Sequence, residues 1–121
     1  IQDRLFMIIE AEAHFSFEEK AKLDATNPKV QEFVKLYQTT YKSSPGSFAA
    51  LGYDAYGMVV EAIKKAKSTK PEYINQALTT LKNYDGITGT ISLDKNRNPI
   101  KSAVILEGAN GKFKFRTRVN P

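Results

Sequence analysis

The chain has 121 residues, enough for one domain with a core of its own. Hydrophobic residues make up 41% and charged residues 26%, which excludes a disordered chain. The net charge of +5 is compatible with an anionic partner but says nothing of fold, and the lack of cysteine excludes disulfides and thiolate metal sites.

The opening residues, IQDRLFMIIEAEAHF, lack the basic start and the long apolar block of a signal peptide. An exported form would carry its signal outside this chain. No apolar run approaches the ~20 residues of a membrane span. Leu5 to Ile9 suits a buried strand, while Glu10 to Ala13 favours helix by propensity. The segment is read as a strand, followed by a polar loop over residues 16–27.

A first helix is predicted from Pro28 to Lys42. Asn27 is a good N-cap and Pro28 suits the first helical position. Val30, Phe33, Val34, Tyr37 and Tyr41 recur at helical spacing, with Lys29, Glu32 and Lys35 opposite. Pro45-Gly46 ends the connection that follows.

A second helix is expected to start at Ser47, as N-cap, and to run to about Ala66. Phe48, Leu51, Ala55, Met58, Val59, Ala62, Ile63 and Ala66 form a broad apolar stripe. Ala49, Ala50, Gly52, Gly57 and Val60 fill much of the rest. The first three turns are therefore expected to be surrounded by protein. The last two carry Glu61, Lys64, Lys65 and Lys67 into water, where lysines suit the negative end of the helix dipole.

A third helix is predicted over residues 71–82 from Ile74, Ala77, Leu78 and Leu81, with Thr69 or Lys70 at the cap. Tyr84-Asp85-Gly86 is read as a break. Ile87, Gly89, Ile91 and Leu93 then alternate with Thr88, Thr90 and Ser92 as a half-buried strand. DKNRNP, residues 94–99, is a turn. A hairpin closes the chain, Ala103 to Glu107 and Lys112 to Val119, around Asn110-Gly111.

The residues offer little chemistry of their own. His14 stands alone, and zinc needs three or four ligands. Glu10/Glu12 and Glu18/Glu19 read as surface charge. Phosphate loops, nucleophile elbows and HExxH are absent from the sequence, so an enzyme is not expected. DKNRNP begins like a calcium loop, with Asp94, Asn96 and Asn98 alternating. Pro99 stands where the turn glycine belongs and Ile105 where the bidentate Glu belongs, so calcium is rejected. GKFKFRTRV alternates Phe113 and Phe115 with Lys112, Lys114, Arg116 and Arg118. Strict alternation would put both rings on one face and every basic side chain on the other. A solvated basic face on an edge strand explains this without nucleic acid.

In order and spacing, SFAALGYDA (47–55), STKPE (68–72), DGITGTISLD (85–94), the polar turn and the last hairpin resemble the C-terminal third of the leucine/isoleucine/valine-type periplasmic binding proteins. The resemblance spans about residues 14 to 115. Lys70 departs from it, standing where the family has a capping Asp, and the N-terminal IQDRLFMII does not match.

The resemblance implies an α+β fragment of the type I periplasmic-binding fold, whose two α/β lobes hold a ligand in the cleft between them. The fragment would contain three helices, an N-terminal strand, and a C-terminal strand plus hairpin. Residues 1–121 would form a partial ligand-binding domain, cut from a longer two-lobed protein. The function implied is that of the extracytoplasmic solute-binding component of an ABC importer, for branched-chain or other amino acids or a similar small polar solute. Its location would be periplasmic or extracellular, free or as a membrane-anchored lipoprotein.

The resemblance puts Phe48 on the aromatic that contacts ligand, with Ser47 beside it; the other reading of Phe48 is a core residue at a helix start. No cofactor and no metal are implied. The partners implied are an amino-acid-like solute and the membrane permease, and not nucleic acid. The helices would normally cover a sheet supplied by segments upstream, so the chain alone is expected to self-associate. Two alternatives remain: a basic nucleic-acid-binding module using the final hairpin, and an interaction domain without a small ligand.

Overall fold

The computed structural model describes residues 5–9, 27–109 and 112–120. These fall into two units, one drawn from Ile1–Ala49 with Ser102–Pro121 and the other from Ala50–Lys101. The readings of His14 and the carboxylate pairs at 10/12 and 18/19 lie outside the described residues, as does the Asn110-Gly111 turn.

In the first unit, strand β1 (Leu5–Ile9) runs antiparallel to β5 (Ala103–Ala109), from Leu5↔Gly108 to Ile9↔Val104. On its other side β5 pairs with β6 (Lys112–Val119), giving the order β1-β5-β6. The N-terminal strand and the closing hairpin thus form as expected. The pairing slips between Ile105 and Leu106: Leu106 faces Phe115, Ile105 faces Thr117, and Arg116 is the extra residue. A bulge of this kind interrupts the two-residue period. The strict alternation expected over residues 112–119 therefore does not run the length of the strand.

Helix α1 (Pro28–Tyr41) begins as its sequence dictates. The Asn27 side chain accepts the Lys29 N–H at 3.0 Å, and Pro28 loses nothing at a position with no intrahelical acceptor for an N–H. Val30, Phe33 and Val34 are buried, one stripe at i, i+3, i+4. From it an aromatic ladder climbs outward, Phe33 to Tyr37 at 5.9 Å between ring centroids and Tyr37 to Tyr41 at 4.6 Å. Lys42, left-handed at φ 55°, closes the helix by donating its N–H to the Gln38 carbonyl.

Helix α2 spans Ser47–Ala66. In the second unit it is followed by α3 (Pro71–Thr79) and by a meander of β2 (Tyr84–Gly86), β3 (Gly89–Leu93) and β4 (Pro99–Lys101). The core of this unit is Ala50, Ala62, Ala77, Leu81, Ile87, Ile91 and Leu93. Lys65 Nζ ties α2 to the end of α3 through the Thr80 hydroxyl and carbonyl, at 3.0 and 3.3 Å. Lys82 Nζ donates to the Leu93 carbonyl at 2.8 Å.

Four expectations are corrected here. Helix α3 stops at Thr79, where the Thr80 and Leu81 N–H groups turn back to Ala77 and Leu78. Leu81 is buried beyond the helix rather than on it. Lys70, one of the two residues expected at the cap of α3, does hold that position, without a side-chain bond, while Ser68 Oγ accepts the Lys70 N–H at 3.2 Å. Tyr84-Asp85-Gly86 is a strand and not a break, and the turn falls on Ile87-Thr88. Gly89, at φ 128°, follows in a conformation closed to other residues.

The fourth correction concerns α2. Its buried residues are Ala50, Asp54 and Ala62. Phe48, Gly52, Ala55, Tyr56 and Val59 lie on an exposed face. The helix is not surrounded by protein in this chain. Gly57 has no side chain, and the Tyr84 phenol fills the space where one would stand.

Candidate functional site

Ser47 and Phe48 open α2. Pro45, fully buried, and Gly46 lead the chain in, and the Gly46 carbonyl accepts the Ala49 N–H at 3.1 Å. Ser47 is the first residue of the helix, one position inside the cap expected for it. It is half-buried. Phe48 is 71% exposed. An aromatic ring left this far in water at a helix start contributes little to the core and is available to an apolar group. The first turn of α2 holds no acidic side chain. From Pro45 to Gly52 the one polar side chain is the Ser47 hydroxyl.

The residue that the sequence reading passed over is Asp54. It is 2% exposed and is the one charged residue in the described core. Its Oδ1 accepts the Ile87 N–H at 2.8 Å. Its Oδ2 accepts the Thr88 N–H at 2.9 Å and the Thr88 hydroxyl at 2.6 Å. A carboxylate bonded by three donors is a strong directional link, because charge-assisted hydrogen bonds are about twice as strong as neutral ones. Gly86 permits the approach, since a Cβ there would lie 2.7–2.8 Å from the Asp54 carboxylate. The sequence signal was the pair GYDA and DGITG, an acid inside an apolar helix and glycines framing two β-branched turn residues.

The polar turn DKNRNP is held by its own first residue. Asp94 Oδ1 accepts the N–H groups of Asn96 and Asn98 at 2.7 and 2.8 Å, and Oδ2 accepts the Asn98 amide at 3.2 Å. The Asn98 N–H beside it holds the Asp94 carboxyl below the usual carboxylate range; the Asn98 side chain, the Asn96 N–H and the Lys82 charge add to this, and desolvation opposes it. The carboxylate closes its own turn. Among the described residues no group of three or more His, Asp or Glu could hold a metal ion. On β6 the exposed Arg116 guanidinium lies 3.9 Å from the Glu107 carboxylate. No helix among the described residues is long and apolar enough to cross a membrane.

Compared with known families, residues 11–112 match the model of the periplasmic binding proteins. The chain belongs to the periplasmic binding protein family. This is a family of binding proteins and not of enzymes. Among solved binding proteins, the chain is similar to the leucine-binding protein LivK of Thermotoga maritima, at 31% identity over 98% of this chain with a TM-score of 0.67. It is also similar to LivJ of Streptococcus pneumoniae, a branched-chain amino acid transporter substrate-binding protein solved with isoleucine, at 32% identity over 78% of this chain and a TM-score of 0.65. A solute-binding protein of Rhodopseudomonas palustris solved with benzoate shares the fold at 22% identity over 98% of this chain, with a TM-score of 0.67. This chain spans 31%, 27% and 30% of the lengths of those three proteins. No curated protein matches it. The three helices and small antiparallel sheets are thus part of a periplasmic-binding fold.

Proposed function

We propose that this chain is the C-terminal part of the solute-binding component of an ABC importer, and that Phe48 is one apolar wall of its ligand cleft, with Ser47 beside it. The class of ligand is a branched-chain or other small amino acid. The observation that carries this reading is the 71% exposure of Phe48, a ring presented at the start of α2 where a core residue would be covered. The likeness to LivK and LivJ supports the ligand class.

An amino acid brings an ammonium and a carboxylate, and each must be paired when buried. The stretch around Phe48 offers one hydroxyl. The 121-residue chain should therefore bind leucine or isoleucine no tighter than about millimolar, worth roughly 4 kcal/mol. In the full-length binding protein, Phe48→Ala should weaken leucine binding by about 1–3 kcal/mol through lost apolar contact. Calorimetric titration of both proteins decides the matter. Micromolar binding by the short chain alone, or an unchanged full-length Phe48→Ala variant, overturns the assignment.

The same reading makes the short chain self-associate. Phe48, Tyr56 and Val59 are 71%, 71% and 39% exposed on one apolar helix face. Such a face seeks cover. Light scattering at micromolar concentration should give more than the monomer mass, and a clean monomer contradicts it.

A further inference from the structure

We infer that Asp54 is the positioning residue of the Phe48 site: its carboxylate, seated on the Ile87 and Thr88 donors, fixes the rotation of α2 about its axis and so the direction in which Phe48 projects. The inference rests on the reading of Phe48 as a ligand wall.

The argument starts from what α2 buries. Besides Asp54, its fully buried residues are Ala50 and Ala62. An alanine face is shallow. Its packing is non-directional, and it supplies few ridges that would lock into a neighbouring groove. The half-buried Leu51, Met58 and Ile63 add apolar contact, but such contact is non-directional and sets the roll of α2 less sharply than hydrogen bonds do.

The carboxylate sets the roll sharply. Three hydrogen bonds of 2.6 to 2.9 Å reach it from two consecutive turn residues. Each weakens steeply as its angle departs from linear. Both Ile87 and Thr88 belong to the two-residue turn between β2 and β3, whose Gly86↔Gly89 pairing sets the turn in place. Rolling the helix would leave the buried Ile87 amide and the half-buried Thr88 amide and hydroxyl without an acceptor, and an unsatisfied buried group is costly. Gly86 adds a steric stop, its backbone lying too close to the carboxylate for any side chain.

Phe48 inherits this orientation. It lies six residues before Asp54 on the same helix, fewer than two turns away. At about 100° per residue it projects about 120° around the axis from Asp54. At 71% exposure, little of its surface meets protein that could fix its direction. A roll of the helix would swing the ring sideways, and a ligand wall displaced by about 1 Å loses much of its contact.

The test is a double-mutant cycle on the full-length binding protein, read by titration with L-leucine. Asp54→Asn keeps the shape but sets an NH2 donor against the donors of Thr88. With Phe48 present, it should weaken leucine binding about tenfold. In a Phe48→Ala background it should weaken binding less than about twofold, because the wall it aims is gone. A residue that merely holds the fold together would weaken binding equally in both backgrounds. That result, or no effect in either, overturns the inference while leaving the Phe48 site standing. If Phe48→Ala itself has no effect on leucine binding, the site reading falls and the inference with it. Thr88→Val is the second variant, removing one donor and keeping both backbone bonds. It should show the same pattern at about threefold, and it carries the test if circular dichroism shows Asp54→Asn unfolded.

Discussion

Helices α1 and α2 both carry an apolar stripe in sequence, yet α1 buries the first turns of its stripe while α2 leaves the start of its own in water. In α1 the residues Val30, Phe33 and Val34 go inside and the charged positions stay out. In α2 the positions turned inward are Ala50, Asp54 and Ala62, while Phe48, Tyr56 and Val59 face water. The difference teaches that a stripe chooses the inward face only when nothing stronger competes. In α2 a carboxylate competes. Its three donors lie 33 and 34 residues further along the chain, and they can be reached by one face alone.

Two phenylalanines give the largest contrast. Phe33 on α1 is 6% exposed, and Phe33→Ala should cost about 3–5 kcal/mol by opening a cavity. Phe48→Ala on α2 should change the stability of the short chain by less than about 0.5 kcal/mol, as surface substitutions do. Urea unfolding of the two variants measures both. Equal losses would mean that Phe48 is core after all and that the two helices do not differ.

Asp54→Ala comes next. It strands the N–H groups of Ile87 and Thr88 together with the Thr88 hydroxyl, and should cost about 3 kcal/mol. Hydrogen exchange should show the Ile87 and Thr88 amides losing protection first. If those amides kept their protection, the carboxylate would not be what orients α2. A smaller loss belongs to the local signal of α1. Asn27→Ala removes the side-chain acceptor for Lys29 N–H and should cost about 1 kcal/mol, seen as a shift in the urea midpoint. Loss of the α1 helical signal at that substitution would show that its packed stripe matters less than its cap.

What could be read from the sequence was local. Asn27-Pro28 marks the start of α1 because a cap acts on the very next residues. The closing hairpin could be read from alternating strands around Asn110-Gly111. The ordered motifs carried the family, and the proposal for Phe48 rests on that resemblance together with the exposure of the ring. What could not be read was long-range. Ile87 and Thr88 are poor turn residues by propensity, so the sequence places the break at Tyr84-Asp85-Gly86 instead. They turn because a side chain from another element accepts their N–H groups. The bulge at Arg116 is likewise set by pairing with β5, and nothing within 112–119 announces it.

The meeting of Gly57 with the Tyr84 phenol ties two distant positions together in natural variation. An alanine at 57 would collide with the hydroxyl, while the ring carbon that bears it stands 3.1 Å away, close enough to be relieved by a small shift. Gain of a methyl at 57 is then tolerated where 84 is phenylalanine and penalised where it is tyrosine. The two positions should drift as a pair among descendants of this sequence, although 27 residues separate them.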